Sequence, residues 1–257
     1  MFTAALLAAC LSADPEPKSQ EFTVGDLKRE AVVYAPAKPG KSVPLVFVFH
    51  GHGGTAKNAA RGMAFHTHWP EALVIYPQGV PTVGQLTDPE GKKTGWQAKP
   101  GDSDDRDVKF FDEMLKWAKK EYPVDAKRVY CTGHSNGGGF TYLLWKERGE
   151  AFAAVAPSAA VAKSIPDVKA KPCLHVMGEQ DPLVKTAWQK LAMTSVRKVN
   201  GCEQTGKEWD KAGQLVGTVY ESKGGTPFVS LVGPGGHEFP KEAPKLIVKF
   251  FKEHEQK

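Results

Sequence analysis

Residues 128–145, RVYCTGHSNGGGFTYLLW, place the tightest constraint on how this chain can fold. A short apolar strand, a glycine-rich turn and an amphipathic segment follow one another without a break. The turn reads G-H-S-N-G and fits G-x-S-x-G, the pattern that holds a serine at the tip of a strained strand-to-helix corner. At such a corner the backbone takes a conformation that is costly for residues with a β-carbon, and neighbouring elements pack too closely for side chains. Gly133 and Gly137 leave that room, and Ser135 is the candidate nucleophile. The competing reading is a turn whose serine merely caps the following helix. Glycine occupies 26 of 257 positions, so the pattern alone does not separate the two, and its surroundings must.

Those surroundings alternate between strand and helix. REAVVY, residues 29–34, reads as a strand, and PLVFVFHG, residues 44–51, is a continuous apolar run of the kind buried on both faces of a sheet. ALVIYPQG, residues 72–79, is another such run, with a polar, alanine-rich helix predicted over 57–63 between them. Residues 104–122 carry Val108, Phe111, Leu115 and Ala118 at helical spacing. The acidic DSDDRD at the start of that segment suits the positive end of a helix dipole, whereas a calcium loop would need the EF-hand glycine and terminal glutamate. AFAAVAPS, PCLHVMGEQD, GTVYES and FVSLVG are further strands, and residues 184–199 and 243–254 further helices. Residues 80–101, rich in proline and glycine and without periodicity, read as a long surface excursion, the kind of loop that tends to be functional. Repeated strand-then-helix order implies an α/β fold with a mostly parallel central sheet and helices on both faces.

Acyl transfer by a serine requires a base, a carboxylate to orient it, and N–H donors for the oxyanion. His237 lies in VGPGGHEFP, a glycine-rich loop just after the last predicted strand, and Asp181 lies in MGEQDPLV, where the chain leaves the preceding core strand. Their order, Ser135, Asp181, His237, is that of an α/β-hydrolase triad. Glu179 is the alternative acid; Asp181, followed by Pro182, stands closer to where the turn leaves the strand. In isolation a loop histidine faces solvent and an aspartate in such a turn caps a helix. The loop His50-Gly51-His52-Gly53-Gly54 follows an early strand, as an oxyanion loop does, and the backbone N–H groups of His52 and Asn136 are the candidate donors. The pairs His50/His52 and His66/His68 invite a metal reading, but no H-E-x-x-H or comparable carboxylate spacing accompanies them, so neither a metal nor another cofactor is expected.

Charge and cysteine content bound the remaining possibilities. The 34 basic and 29 acidic residues are scattered, and no basic tract suggests nucleic acid as a partner. The four cysteines, Cys10, Cys131, Cys173 and Cys202, form no C-x-x-C pair, and Cys131 and Cys173 fall in predicted core strands. The opening MFTAALLAACLSADPEPKS turns from apolar to polar at Asp14. Residues 1–13 therefore read as an export signal cut after Ala13, or as a lipoprotein segment anchored through Cys10, although no Lys or Arg precedes the apolar run.

With FHGHGG, YPQG, Gly95-Trp96, TGHSNGGGFTY, MGEQDPLV and GPGGHEFP in hand, residues 32–251 resemble secreted esterases of the α/β-hydrolase superfamily. The resemblance is strongest to the polyhydroxybutyrate depolymerase and feruloyl or acetylxylan esterase group. It implies hydrolysis of hydroxyalkanoate, feruloyl or acetyl esters through an acyl-enzyme, with Ser135, Asp181 and His237 as the triad. Many relatives carry Trp where Phe239 stands here, and Asn200-Gly201-Cys202 looks like half of a relative's disulfide with no cysteine near residues 222–229 to complete it. Trp96 is a candidate wall of an apolar acyl pocket, with core packing as the other reading. The expectation is thus one catalytic domain over residues 14–257, a secreted or periplasmic monomer acting on an ester that is polymeric or polysaccharide-linked. A peptidase of the same superfamily and a non-catalytic polymer- or glycan-binding protein of the same fold are the alternatives.

Overall fold

The computed structural model describes residues 16–162, 165 and 168–256. The segment read as a signal or lipid anchor, with Cys10, lies outside these residues. The chain enters through an antiparallel hairpin, β1 (Lys18–Val24) and β2 (Leu27–Tyr34). It then crosses into β3 (Val43–Phe49), buried at every position. Helices α1 (Ala56–Met63) and α2 (Phe65–His68) lead to β4 (Leu73–Pro77). The excursion that follows closes on itself through a short ribbon, β5 (Val80–Pro81) with β6 (Thr94–Gly95), and leads to α3 (Arg106–Glu121). The corner comes next, as β7 (Val124–His134) and α4 (Asn136–Arg148), and then β8 (Ala154–Ser158) and β9 (Cys173–Gly178). After α5 (Thr186–Val199), the strands β10 (Lys207–Ala212), β11 (Leu215–Tyr220) and β12 (Phe228–Gly233) complete the sheet, and α6 (Ala243–Lys252) closes the chain.

The strands form one sheet in the order β1-β2-β4-β3-β7-β8-β9-β12-β11-β10. From β4 to β12 neighbouring strands are parallel, and each edge is finished by antiparallel strands. Sequence reading recovered the parallel centre and missed β1 and β10, whose alternating charged residues do not look like sheet when nothing packs on one side of them. Because side chains alternate across a strand, β3 sends Leu45, Phe47 and Phe49 into the core beneath α3, α4 and α5, and Val46 and Val48 into the core beneath α1, α2 and α6. No helix among the described residues is long and apolar enough to cross a membrane.

The acidic lead into α3 stands at the start of the helix, as expected, and one of its residues has a second role. Asp102–Asp105 form a separate 3-10 turn, and Asp107 is fully buried inside the helix against the equally buried Arg29 of β2 at 2.9 Å. Asp107 also accepts the N–H of Gln97 at 2.8 Å, so it fastens β2, α3 and the end of the excursion to one point. Burial lowers the pKa of the Arg29 guanidinium, and Asp107 partly restores it. Asp107→Ala would leave Arg29 buried and unpaired, and is expected to cost about 3–5 kcal/mol, read from urea denaturation.

Candidate active site

At β3 the chain grows the sheet towards β4, and at the adjacent β7 it grows the other way towards β8. The loops leaving these two strands diverge, which opens a crevice at their carboxyl ends, the usual place for a ligand in such a sheet. The sequence candidates meet there. Ser135 turns the corner with φ 55° and ψ −117°, a sparsely populated conformation that costs about 1–3 kcal/mol. Its N–H donates to the Ser158 carbonyl at 2.8 Å, and its carbonyl accepts from the Gly139 N–H at 2.9 Å. A β-carbon on Gly137 would collide with the carbonyl oxygens of Phe49 and His50, so glycine is what allows α4 to start against the end of β3.

Ser135 Oγ lies 2.8 Å from His237 Nε2, and His237 Nδ1 lies 2.9 Å from Asp181 Oδ2. A carboxylate only accepts, so the His237 proton sits on Nδ1 and Nε2 is left to take the serine hydroxyl proton. The Asp181 carboxylate has both of the roles weighed from sequence: Oδ1 caps the following turn by accepting the N–H groups of Leu183 and Val184, while Oδ2 faces the imidazole. Glu179, the alternative acid, is exposed.

The two candidate oxyanion donors flank Ser135. Asn136 is the first residue of α4, where the helix offers its N–H no acceptor. Gly51 packs against Ser135, close enough that a β-carbon there would sit 3.5 Å from the serine's, and this brings His52 to the mouth of the same crevice. Trp96, for which the sequence allowed a pocket wall or core packing, is wholly buried, stacked on Phe140 and edge-on to Phe49. Its position explains the outcome. The peptide N–H and carbonyl of Trp96 bond the Asn136 side chain at 2.7 and 3.0 Å, and its indole N–H donates to the His50 carbonyl at 2.8 Å. Trp96 is a strut that ties the His50 backbone, two residues before one candidate donor, to the side chain of Asn136, the other.

The excursion is fastened to the same loop. Gly53 N–H donates to the Thr94 carbonyl, the Thr94 hydroxyl donates to the Gly54 carbonyl, and the His52 ring meets Asp88 at 3.1 Å. Asp88 also accepts the Lys93 N–H, and this bond, followed by that from His52, holds its carboxyl below the usual range. Through these ties Val83 and Leu86 are brought to the rim of a cleft of about 570 Å³ above Ser135, whose other apolar walls include Tyr142, Leu143, Val184 and Trp188. None of these wall residues stood out in the sequence, because aromatic and aliphatic residues on helices and loops look alike whether they face a core or a cleft. His134 was also unread. Its ring lies 5.0 Å from that of His237 and 3.2 Å from the Ser158 hydroxyl, and burial, followed by the neighbouring His237, pushes its pKa down to about 4.

The histidine pairs are dispersed among other partners. His50 donates from Nδ1 to the Gly51 carbonyl and accepts the Gly79 N–H at Nε2, and burial pushes its pKa down to about 4. His66 stacks on Tyr34 and bonds Tyr76. Among the described residues no group of three or more His, Cys, Asp or Glu side chains could hold a metal ion.

Over most of its length the chain is similar to esterases. "Probable feruloyl esterase C" of Aspergillus clavatus is 30% identical over 217 residues, covering 80% of this chain and 76% of that protein. The chain belongs to the feruloyl and acetylxylan esterase-like group of α/β-hydrolases. Other members of the group include the bifunctional acetylxylan esterase/xylanase of Neocallimastix patriciarum, 29% identical over 177 residues, which cover 63% of this chain and 24% of that larger protein. The structure of the acetyl xylan esterase from Aspergillus awamori superposes with a TM-score of 0.72 at 15% identity, over 91% of this chain and 99% of that one, and shares the fold. Residues 97–199 match the model of the prolyl oligopeptidase family. Cys202, whose segment looked from sequence like half of a disulfide, is a free thiol that pairs in a β-bridge with Ser222 and lies 3.9 Å from the Thr226 carbonyl.

The buried neutral histidines set an acid limit. Between 6.5 and about 4 the unfolded chain takes up protons that native His50, His134 and His175 refuse. Stability is therefore complete above pH 6.5 and falls as pH drops through that window, by about 3 kcal/mol for His50 alone. Urea midpoints measured across this range are expected to show that slope, and His50→Gln is expected to flatten it by about one proton.

Proposed function

We propose that this chain hydrolyses carboxylic esters through an acyl-enzyme and that its cleft takes an aromatic, feruloyl-type acyl group ahead of an acetyl group or a hydroxyalkanoate. The observation that carries the reading is the continuous hydrogen-bonded line from Ser135 Oγ through His237 to Asp181, lying at the floor of an apolar cleft. A volume of about 570 Å³ falls within the range of small-molecule sites and is generous for an acetyl group. Tyr142 and Trp188 both line the cleft, and Trp188, 40% exposed, is available to pack on an aromatic acid.

His237 Nε2 takes the Ser135 proton as Oγ attacks the ester carbonyl. The oxyanion forms against the N–H groups of Asn136 and His52, and removing one such donor costs about 3 kcal/mol in the barrier. His237, doubly protonated and held by Asp181, returns the proton to the leaving alcohol. Water then enters, gives its proton to the same nitrogen, and releases the acid while Ser135 is reprotonated. The names of the relatives, which mention ferulate and acetylxylan, support a polysaccharide-linked ester as the natural substrate. Export by residues 1–13, with or without lipidation at Cys10, and action as a monomer belong to the same proposal.

Ser135→Ala is expected to lower hydrolysis of aryl acetate by at least about 10³-fold with an unchanged circular dichroism spectrum, and retained activity would refute the assignment. Trp188→Ala is expected to lower kcat/KM for methyl ferulate about tenfold while leaving aryl acetate within about twofold. Equal losses on both substrates would point to an acetyl-sized acyl site, and turnover of an anilide at the ester rate would favour a peptidase.

A further inference from the structure

Behind Asp181 lies a line of buried polar side chains that the reaction itself does not use. Gln189, on α5, donates both hydrogens of its amide nitrogen, one to Asp181 Oδ2 at 3.0 Å and one to the Val184 carbonyl at 2.7 Å. Its oxygen faces His175 Nε2, on β9, at 3.1 Å. The other ring nitrogen of His175 faces the Tyr142 hydroxyl, on α4, at 2.7 Å. Gln189 and His175 are fully buried, Tyr142 nearly so, and each has its polar atoms satisfied within the line.

The direction of every bond follows from chemistry. An amide oxygen only accepts, so His175 Nε2 carries the ring proton. Burial pushes the His175 pKa down to about 4, so the ring holds one proton and Nδ1 must accept, which makes Tyr142 the donor. Each link therefore fixes the orientation of the next. Tyr142 selects the tautomer of His175. His175 selects which end of the Gln189 amide faces Asp181, since a flipped amide would set an oxygen against both the carboxylate and the Val184 carbonyl. Gln189 in turn occupies the side of Oδ2 that His237 does not.

We propose that Gln189, His175 and Tyr142 are positioning residues that lock the Asp181 carboxylate, and through it the tautomer and aim of His237, towards Ser135. The proposal rests on the reading of those three residues given above. A fully satisfied buried network specifies a single arrangement, and a partly satisfied one does not. The line also has a geographical consequence: Tyr142 stands seven residues after Ser135 on the same helix and is a wall of the cleft. The helix that starts at the nucleophile thus braces the acid from behind.

The test compares the wild-type protein with Gln189→Leu, Tyr142→Phe and Ser135→Ala on aryl acetate, with low-field proton NMR of the His237 Nδ1–H. Gln189→Leu is expected to lower kcat by roughly 10- to 100-fold with KM within about twofold, the range for a small misplacement of a reacting group, and to shift or broaden the low-field resonance. Tyr142→Phe, a milder change that keeps the ring in the cleft, is expected to lower kcat by roughly threefold and to move the same resonance, and it decides the matter where Gln189→Leu does not fold. Unchanged kcat and resonance in folded variants would overturn the proposal, as would a loss of kcat equal to the loss of folded fraction. Ser135→Ala separates the two levels. If it is inactive while the Gln189 and Tyr142 variants match wild type, only the positioning role fails; if it remains active, the reading of the site fails.

Discussion

The backbone of Ser135 is the constraint on which the site depends. A serine with φ 55° and ψ −117° does not hold that shape by preference. It is held because β3, β7 and α4 approach so closely that the corner has nowhere else to go, and because the Ser158 and Gly139 backbones bond it on either side. The strain aims Oγ out of the sheet, at the imidazole. The helix that begins there leaves its first N–H, that of Asn136, without a helical acceptor, beside the place where charge would develop. Pre-set geometry of this kind is what electrostatic stabilisation requires, since dipoles already in place need not reorganise during reaction.

Around that corner the structure spends its large aromatic residues on alignment. Trp96 joins the His50 carbonyl to the Asn136 side-chain amide, and its indole packs in a three-ring cluster with Phe49 and Phe140. Two loops that are remote in sequence are thus tied to one rigid body. The excursion from β4 to α3 is bound to it in turn by Asp88, Thr94 and Arg106, whose guanidinium reaches the Pro81 carbonyl and the Thr82 hydroxyl. A loop that is irregular in sequence is therefore well anchored, and it carries Leu86 to the cleft.

Much of this was legible in the sequence because burial on both faces leaves a plain mark. The runs that became β3 and β4 are apolar throughout, that of β9 is apolar but for His175, and the polar residues placed just beyond the ends of β3 and β9, His50 and Asp181, stand out for that reason. Trp96 was ambiguous because a tryptophan beside a glycine in a proline-rich loop carries no period to say which way it points. Asp107 was read only as part of an acidic helix start, because its partner, Arg29, lies 78 residues away and only the fold brings them together. Gln189 was invisible: one glutamine on a helix of mixed composition looks solvated, and its burial is a property of the neighbours. The edges were missed for the opposite reason, since strands exposed on one face read as loop.

Those edges have a consequence of their own. The sheet ends on β1 and β10, whose outward positions include Lys18, Glu21, Lys207, Glu208 and Lys211. A stray strand seeking to extend the ladder would have to strip water from these charges before its first backbone bond could form. A ten-stranded sheet with apolar edges would be a template for aggregation; this one is bounded on both sides by residues that keep their hydration.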